Sequence, residues 1–181
     1  MSDTPPQDEL AGTEQPFVQH LIELRDRLVK ATIAVLVAGA ALAIYPGPAD
    51  LYDLLAAPLV AQLPEGGHLI ATSVISPFLV PLKILLMTAF LVALPVVLYQ
   101  VWAFVAPGLY SHEKKLVLPL VVSSTVLFMV GVAFCYFFVF GQVFKFIQSF
   151  APKSITAAPD IEAYLGFVIS MFIAFGLAFE V

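Results

Sequence analysis

The 181-residue chain is 61% hydrophobic and only 12% charged, with a mean hydropathy of +0.98 and a formal net charge of −5. That composition excludes a water-soluble globular domain, since the apolar residues fall in runs long enough to cross a bilayer, where about 20 helical residues are needed. No basic patch is present to hold nucleic acid, and the single cysteine, Cys135 inside an apolar run, excludes an intrachain disulfide and a thiolate metal site.

Residues 1–16 are polar, acidic and proline-bearing, and read as a disordered tail; the transmembrane helical domain takes 17–181. Phe17 to Lys30 predicts an amphipathic helix entering the membrane. At about 100° per residue Phe17, Leu21, Leu24 and Leu28 share one face, and His20, Glu23, Arg27 and Lys30 the opposite one. The first span, about 28–45, continues this helix until Pro46-Gly47-Pro48 ends it. Arg25, Arg27 and Lys30 ahead of Ala31–Ile44 also match a secretory signal peptide, but the polar stretch before them is unusually long for one and no secreted domain follows.

A first outer loop, 46–76, carries Asp50, Asp53 and Glu65 and neither Lys nor Arg. Inside it Ala49 to Leu59 suits a short helix ending about Pro58, with Leu51, Leu54, Leu55 and Leu59 resting on the membrane surface. The second span, about 77–104, contains Pro81 and Pro95, which should bend it. The stretch 105–115 turns the chain at a membrane face: Pro107-Gly108 breaks the backbone, Tyr99, Trp102 and Tyr110 have the amphipathic rings of an interface, and Lys114 and Lys115 add positive charge. A third span, about 116–144, a second outer loop, 145–160, and a fourth span, 161–181, complete the chain. The fourth span is still apolar at Val181, so the intact protein is expected to continue past it. Arg25, Arg27, Lys30, Lys114 and Lys115 flank the spans on one side against Lys153 on the other, with Lys83 and Lys145 near span ends, which puts the N-terminus and the 105–115 turn in the cytoplasm and both outer loops in the periplasm. The fold class is therefore an all-α polytopic transmembrane helix bundle.

Three acids stand out. Glu23 on the first helix and Glu113 where the third begins both reach the cytoplasmic face, and if those helices are neighbours the two carboxylates can converge on one cationic ligand. A planar guanidinium suits such a pair, because it makes bidentate hydrogen bonds that an ammonium does not copy. Each has a plainer explanation: Glu23 can pair with Arg27 at i,i+4, and Glu113 can complement the dipole of a helix capped by Ser111. Glu180 lies roughly 22 Å beyond Leu165 along the fourth helix, within the hydrocarbon, where a lone acid is expensive and is functional or paired, unless it simply marks the helix's cytoplasmic end. His20, His68 and His112 are scattered and read as surface or interface residues. No phosphate-binding glycine loop, zinc-protease helix or nucleophile elbow is present, so neither catalysis nor a cofactor or metal is expected.

His20-Leu-Ile-Glu-Leu-Arg-Asp-Arg-Leu28, Ser76-Pro-Phe78, Tyr99-Gln-Val-Trp-Ala-Phe-Val-Ala-Pro-Gly-Leu-Tyr-Ser-His-Glu113 and Phe175-Gly-Leu-Ala-Phe-Glu-Val181 resemble, in order, the motifs of the TatC family of twin-arginine translocase subunits. The resemblance covers nearly everything after the acidic tail, but the family has six transmembrane helices and this chain stops in the fourth. It implies a bacterial inner-membrane receptor for twin-arginine signal peptides of folded precursor proteins, exported with the proton-motive force. It further implies TatA- and TatB-type single-span partners, an oligomer and a lipid environment. By the same resemblance Glu23 and Glu113 form the cytoplasmic patch that receives the arginine pair, Phe104 lies near it, Arg25 belongs to the same first motif, Pro58 is a functional position of the first periplasmic loop, and Glu180 is the intramembrane acid of the concave side. A secondary transporter or channel with Glu180 as an ion or proton site is the competing reading, for which internal inverted repeats would speak and none is evident. A purely structural scaffold would leave Glu23 and Glu113 unexplained.

Overall fold

The computed structural model describes residues 11–63, 67–105, 117–150 and 158–180, with side chains from residue 18 onward. Six α-helices follow one another: α1 (Ala11–Ile44), α2 (Pro48–Val60), α3 (Ser76–Val105), α4 (Val117–Phe134), α5 (Phe140–Phe150) and α6 (Ile161–Glu180). A π-helical turn, Cys135–Val139, joins α4 to α5 without a break. Among the described residues four helices are long and apolar enough to cross a membrane: Val18–Ile44, Ser76–Val105, the α4–α5 rod Val117–Phe150, and Ile161–Glu180. Helix α1 begins at Ala11, before the Phe17 start drawn from hydropathy, and the third rod runs on to Phe150. The turn at 106–116 lies outside the described residues.

Local sequence explains the ends. Gly47, at φ 102°, occupies backbone space that side-chain-bearing residues avoid, which lets α1 give way directly to α2. Pro48 then opens α2, where its missing N–H leaves no intrahelical bond unmade. Pro119 sits in the first turn of α4 for the same reason.

Helix α1 packs on α3, α4 on α6, and α2 lies across α3 and α5. The packing of α1 differs from a soluble amphipathic helix. Leu21, Leu24 and Leu28 are exposed, whereas the stripe Glu23, Arg27, Ala31, Ala34, Ala38, Gly39 and Leu42 is covered. In lipid this is the economical arrangement, because leucine side chains find tails as apolar as a protein core while small residues allow close helix approach. Gly39 lies where an added Cβ would just touch Ala89 of α3, at 3.5 Å.

Three of the four α2 leucines expected to rest on the membrane surface turn instead into the protein. Leu51, Leu55 and Leu59 are buried with Val80 and Ile84 of α3, Phe140 and Phe144 of α5, and Tyr164 and Val168 of α6, and only Leu54 is exposed. The helix also runs through Pro58 to Val60. Pro58 has no N–H for the carbonyl of Leu54, and that carbonyl accepts instead from the Tyr136 hydroxyl, while the Leu55 carbonyl accepts from Tyr164.

The segment that leads into α3 and the one that leads into α6 are joined. Ile70 and Asp160 form a parallel β-bridge: the Ile70 N–H donates to Pro159 O at 3.0 Å, and the Ile161 N–H to Ile70 O at 2.9 Å. Oδ2 of Asp160 caps α6 by accepting from the N–H groups of Glu162 and Ala163, and Oδ1 accepts from the Thr72 N–H and hydroxyl.

Candidate functional site

The foot of α1 and the end of α3 meet at one end of the bundle. Glu23 lies on the covered stripe of α1, half-buried, one turn after His20. The His20 ring stacks on Phe104 of α3, with centroids 4.3 Å apart and planes 26° from parallel. Glu23 is paired with Arg27: Nη2 and Nε of the guanidinium donate to the same carboxylate oxygen, Oε1, at 2.6 and 3.0 Å. The i,i+4 contact foreseen as the plain explanation of Glu23 is therefore formed. Arg25 points elsewhere; its guanidinium is exposed and, among the described residues, pairs only with its neighbour Asp26, at 3.3 Å. Charge–charge contacts of that openness contribute little.

Of the residues singled out from sequence, then, Glu23 and Phe104 sit at the same end of the α1–α3 pair, with Arg25 exposed on α1. Glu113 lies outside the described residues. Pro58 belongs to α2 among the leucines that enter the core, and Glu180 is the last residue of α6, half-buried. Among the described residues Glu180 has no ion pair. Its helix is held by a close crossing. A Cβ on Gly131 of α4 would lie 2.5 Å from the Phe175 carbonyl oxygen, and one on Gly176 would lie 2.5 Å from the Phe128 ring. Phe134 packs on both Phe175 and Phe179, with centroids 6.0 and 5.4 Å away.

Sequence reasoning passes over four contributors. His20 had been set aside as scattered; its helical face pointed to Glu23, but its stack on Phe104 depends on how α1 meets α3. Tyr136 and Tyr164 lie in apolar runs, and nothing local shows that their hydroxyls reach α2. At Asp160 hydrogen bonds from the Ala163 N–H, and then from the Thr72 hydroxyl, hold the carboxyl below the ordinary carboxylate range. Among the described residues no cluster of metal-ligating side chains occurs.

Residues 19–181 match the family model described as "TatC: Sec-independent protein translocase protein (TatC)". Among relatives, the Sec-independent protein translocase protein TatC of Escherichia coli K12 is 50% identical over 167 residues, covering 92% of this chain and 64% of that protein. Its counterpart in Halothiobacillus neapolitanus is 52% identical over 165 residues, covering 91% of this chain and 44% of that one. A solved structure, "Crystal Structure of Twin Arginine Translocase Receptor- TatC", superposes with a TM-score of 0.75 at 40% identity, over 89% of this chain and 70% of that chain. The chain thus spans less than two thirds of the length of these sequence relatives.

Proposed function

The chain belongs to the TatC family of Sec-independent protein translocase proteins, and we propose that it forms the signal-peptide-receiving part of a translocase that exports folded proteins across the bacterial inner membrane. The ligand is the arginine pair of a twin-arginine signal peptide, and the energy source is the proton-motive force. Supporting this most directly is the meeting of two family motifs at one end of the bundle, where the His20 ring, one turn before Glu23 on α1, stacks on Phe104 of α3. A carboxylate beside aromatic rings is the chemistry that favours guanidinium, which can hydrogen-bond in its plane and stack on its face.

In this reading Glu23 and Glu113 share the arginine pair, with Phe104 and Arg25 at the margin. The N-terminus and the 105–115 turn lie in the cytoplasm, in keeping with the Lys and Arg distribution. Pro58 acts through the outer face and Glu180 through the concave side of the bundle, and TatA- and TatB-type single-span subunits complete an oligomeric assembly. Binding energy and the membrane potential do the work, with no catalytic group.

The test is the affinity of a twin-arginine signal peptide for the full chain in nanodiscs, compared with a twin-lysine version. Glu23→Ala and Glu113→Ala should each weaken arginine binding roughly tenfold or more, as expected for charge-assisted hydrogen bonds at a partly shielded site. The double variant should lose less than the two losses combined. Strict additivity, with arginine still preferred over lysine in the double variant, would mean that the arginines are read elsewhere.

A further inference from the structure

A guanidinium already occupies Glu23. Arg27 donates both Nη2 and Nε to Oε1 of that carboxylate. On an outward helix face such an i,i+4 pair would be unremarked. This one lies on the stripe turned toward α3, its side chains only 23% and 35% exposed, one turn from the His20–Phe104 stack. It also uses the contact that an incoming arginine would need, two N–H groups of one guanidinium on the carboxylate. A second guanidinium on the same oxygen would hold two like charges a few ångströms apart, so the two contacts compete.

Resting on the receptor reading above, we propose that Arg27 is an internal competitor for the signal peptide's arginine pair. It holds Glu23 when no peptide is bound and is displaced into water when one arrives. The carboxylate is then never left half-buried and uncompensated, and the peptide gains only the difference between its own contact and that of Arg27. Release is helped in the same measure, since Arg27 stands ready to return. Such a competitor lowers the affinity of every guest that needs Glu23 by one common factor, so it sets binding strength and leaves the preference for arginine over lysine unchanged.

The experiment is a set of dissociation constants for a fluorescent synthetic twin-arginine signal peptide on the full chain in nanodiscs. The parent, Arg27→Gln, Glu23→Gln and the double variant are compared. Arg27→Gln should bind about two- to fivefold tighter, the range for displacing a partly shielded ion pair, and the gain should disappear in the Glu23→Gln background. A gain that persists without Glu23 would show Arg27 to be only a repelling charge, and weaker binding would show it to hold Glu23 in place; either result overturns the proposal. If Arg27→Gln does not fold, Arg27→Lys decides. It keeps the charge with a poorer contact, so a smaller gain is expected, and no gain or a loss rejects the competitor. A twin-lysine peptide on the parent separates the two levels of inference. A parent that binds both peptides alike sinks the receptor reading together with its competitor, whereas a parent that prefers arginine but gains nothing from Arg27→Gln sinks the competitor alone.

Discussion

At Asp160 one carboxylate serves two elements, capping α6 with one oxygen and holding Thr72 of the first outer loop with the other. Because these hydrogen bonds lower its pKa in the folded protein, its contribution is fully present above the unfolded value of about 3.9 and is lost as the pH falls through the folded value. Hydrogen exchange at the Thr72 and Ile161 amides should therefore keep its protection down to about pH 4 and lose it in stronger acid. Asp160→Asn, which can still cap a helix, should remove that acid step. An acid step of the same size in the asparagine variant would assign the titration to another group. Half of this residue's role has a sequence signal, an Asp immediately before an apolar run. The other half has none, because Thr72 lies 88 positions away. Glu23 divides in the same way: Arg27 four residues on was legible, and the ring stack beside it was not.

Helices were legible wherever hydropathy alone decides them, and hydropathy does not say which way a face turns. The leucine face of α1 looks like a core face and is exposed, while the leucines of α2, whose pattern equally suits a surface helix, enter the core. What holds α2 there includes the Leu54 carbonyl, released by Pro58 and taken by Tyr136. Tyr136→Phe should cost about 1 kcal/mol, measured by denaturant unfolding in detergent, and should cost less in a Pro58→Ala background, where a restored N–H can take the carbonyl. Equal costs in both backgrounds would uncouple the proline from the tyrosine. At the α4–α6 crossing the obstacle to a methyl group on Gly131 is the backbone of Phe175 and Gly176, so a side-chain rotation alone cannot make room for it. Gly131→Ala should destabilise by about 1–3 kcal/mol and shift α6, with Glu180 at its end. A melting temperature unchanged from the parent would contradict so tight a crossing.

On the scale of the whole molecule, the number and order of spans were readable because each apolar run is long enough to satisfy its own backbone across a bilayer. The π-helical turn and the joining of the outer loops were not, since both arise from contacts between segments far apart in sequence. The orientation proposed from Lys and Arg can be checked by labelling single engineered cysteines with a membrane-impermeant reagent, after replacing Cys135. Positions 67 and 154 should react from outside the intact cell, and positions 1 and 111 only after the membrane is opened. Reaction at 111 from outside would invert the topology and move Glu23 to the wrong side for a cytoplasmic ligand.

The joined outer loops also bear on how the protein is made. Residues synthesised early, Thr72 and Ile70 in the first loop and Leu55 in α2, find their partners in Asp160, Pro159 and Tyr164, which leave the ribosome about ninety or more residues later. Helices α1 and α3 can pair as soon as both are inserted, whereas contacts between distant segments must wait for the chain between them and for the entropy of closing it. The nascent protein therefore passes through a stage in which the end of the α1–α3 pair that bears Glu23 is assembled and the opposite end is still open, with the carbonyl of Leu55 and the amide of Thr72 awaiting the arrival of α6.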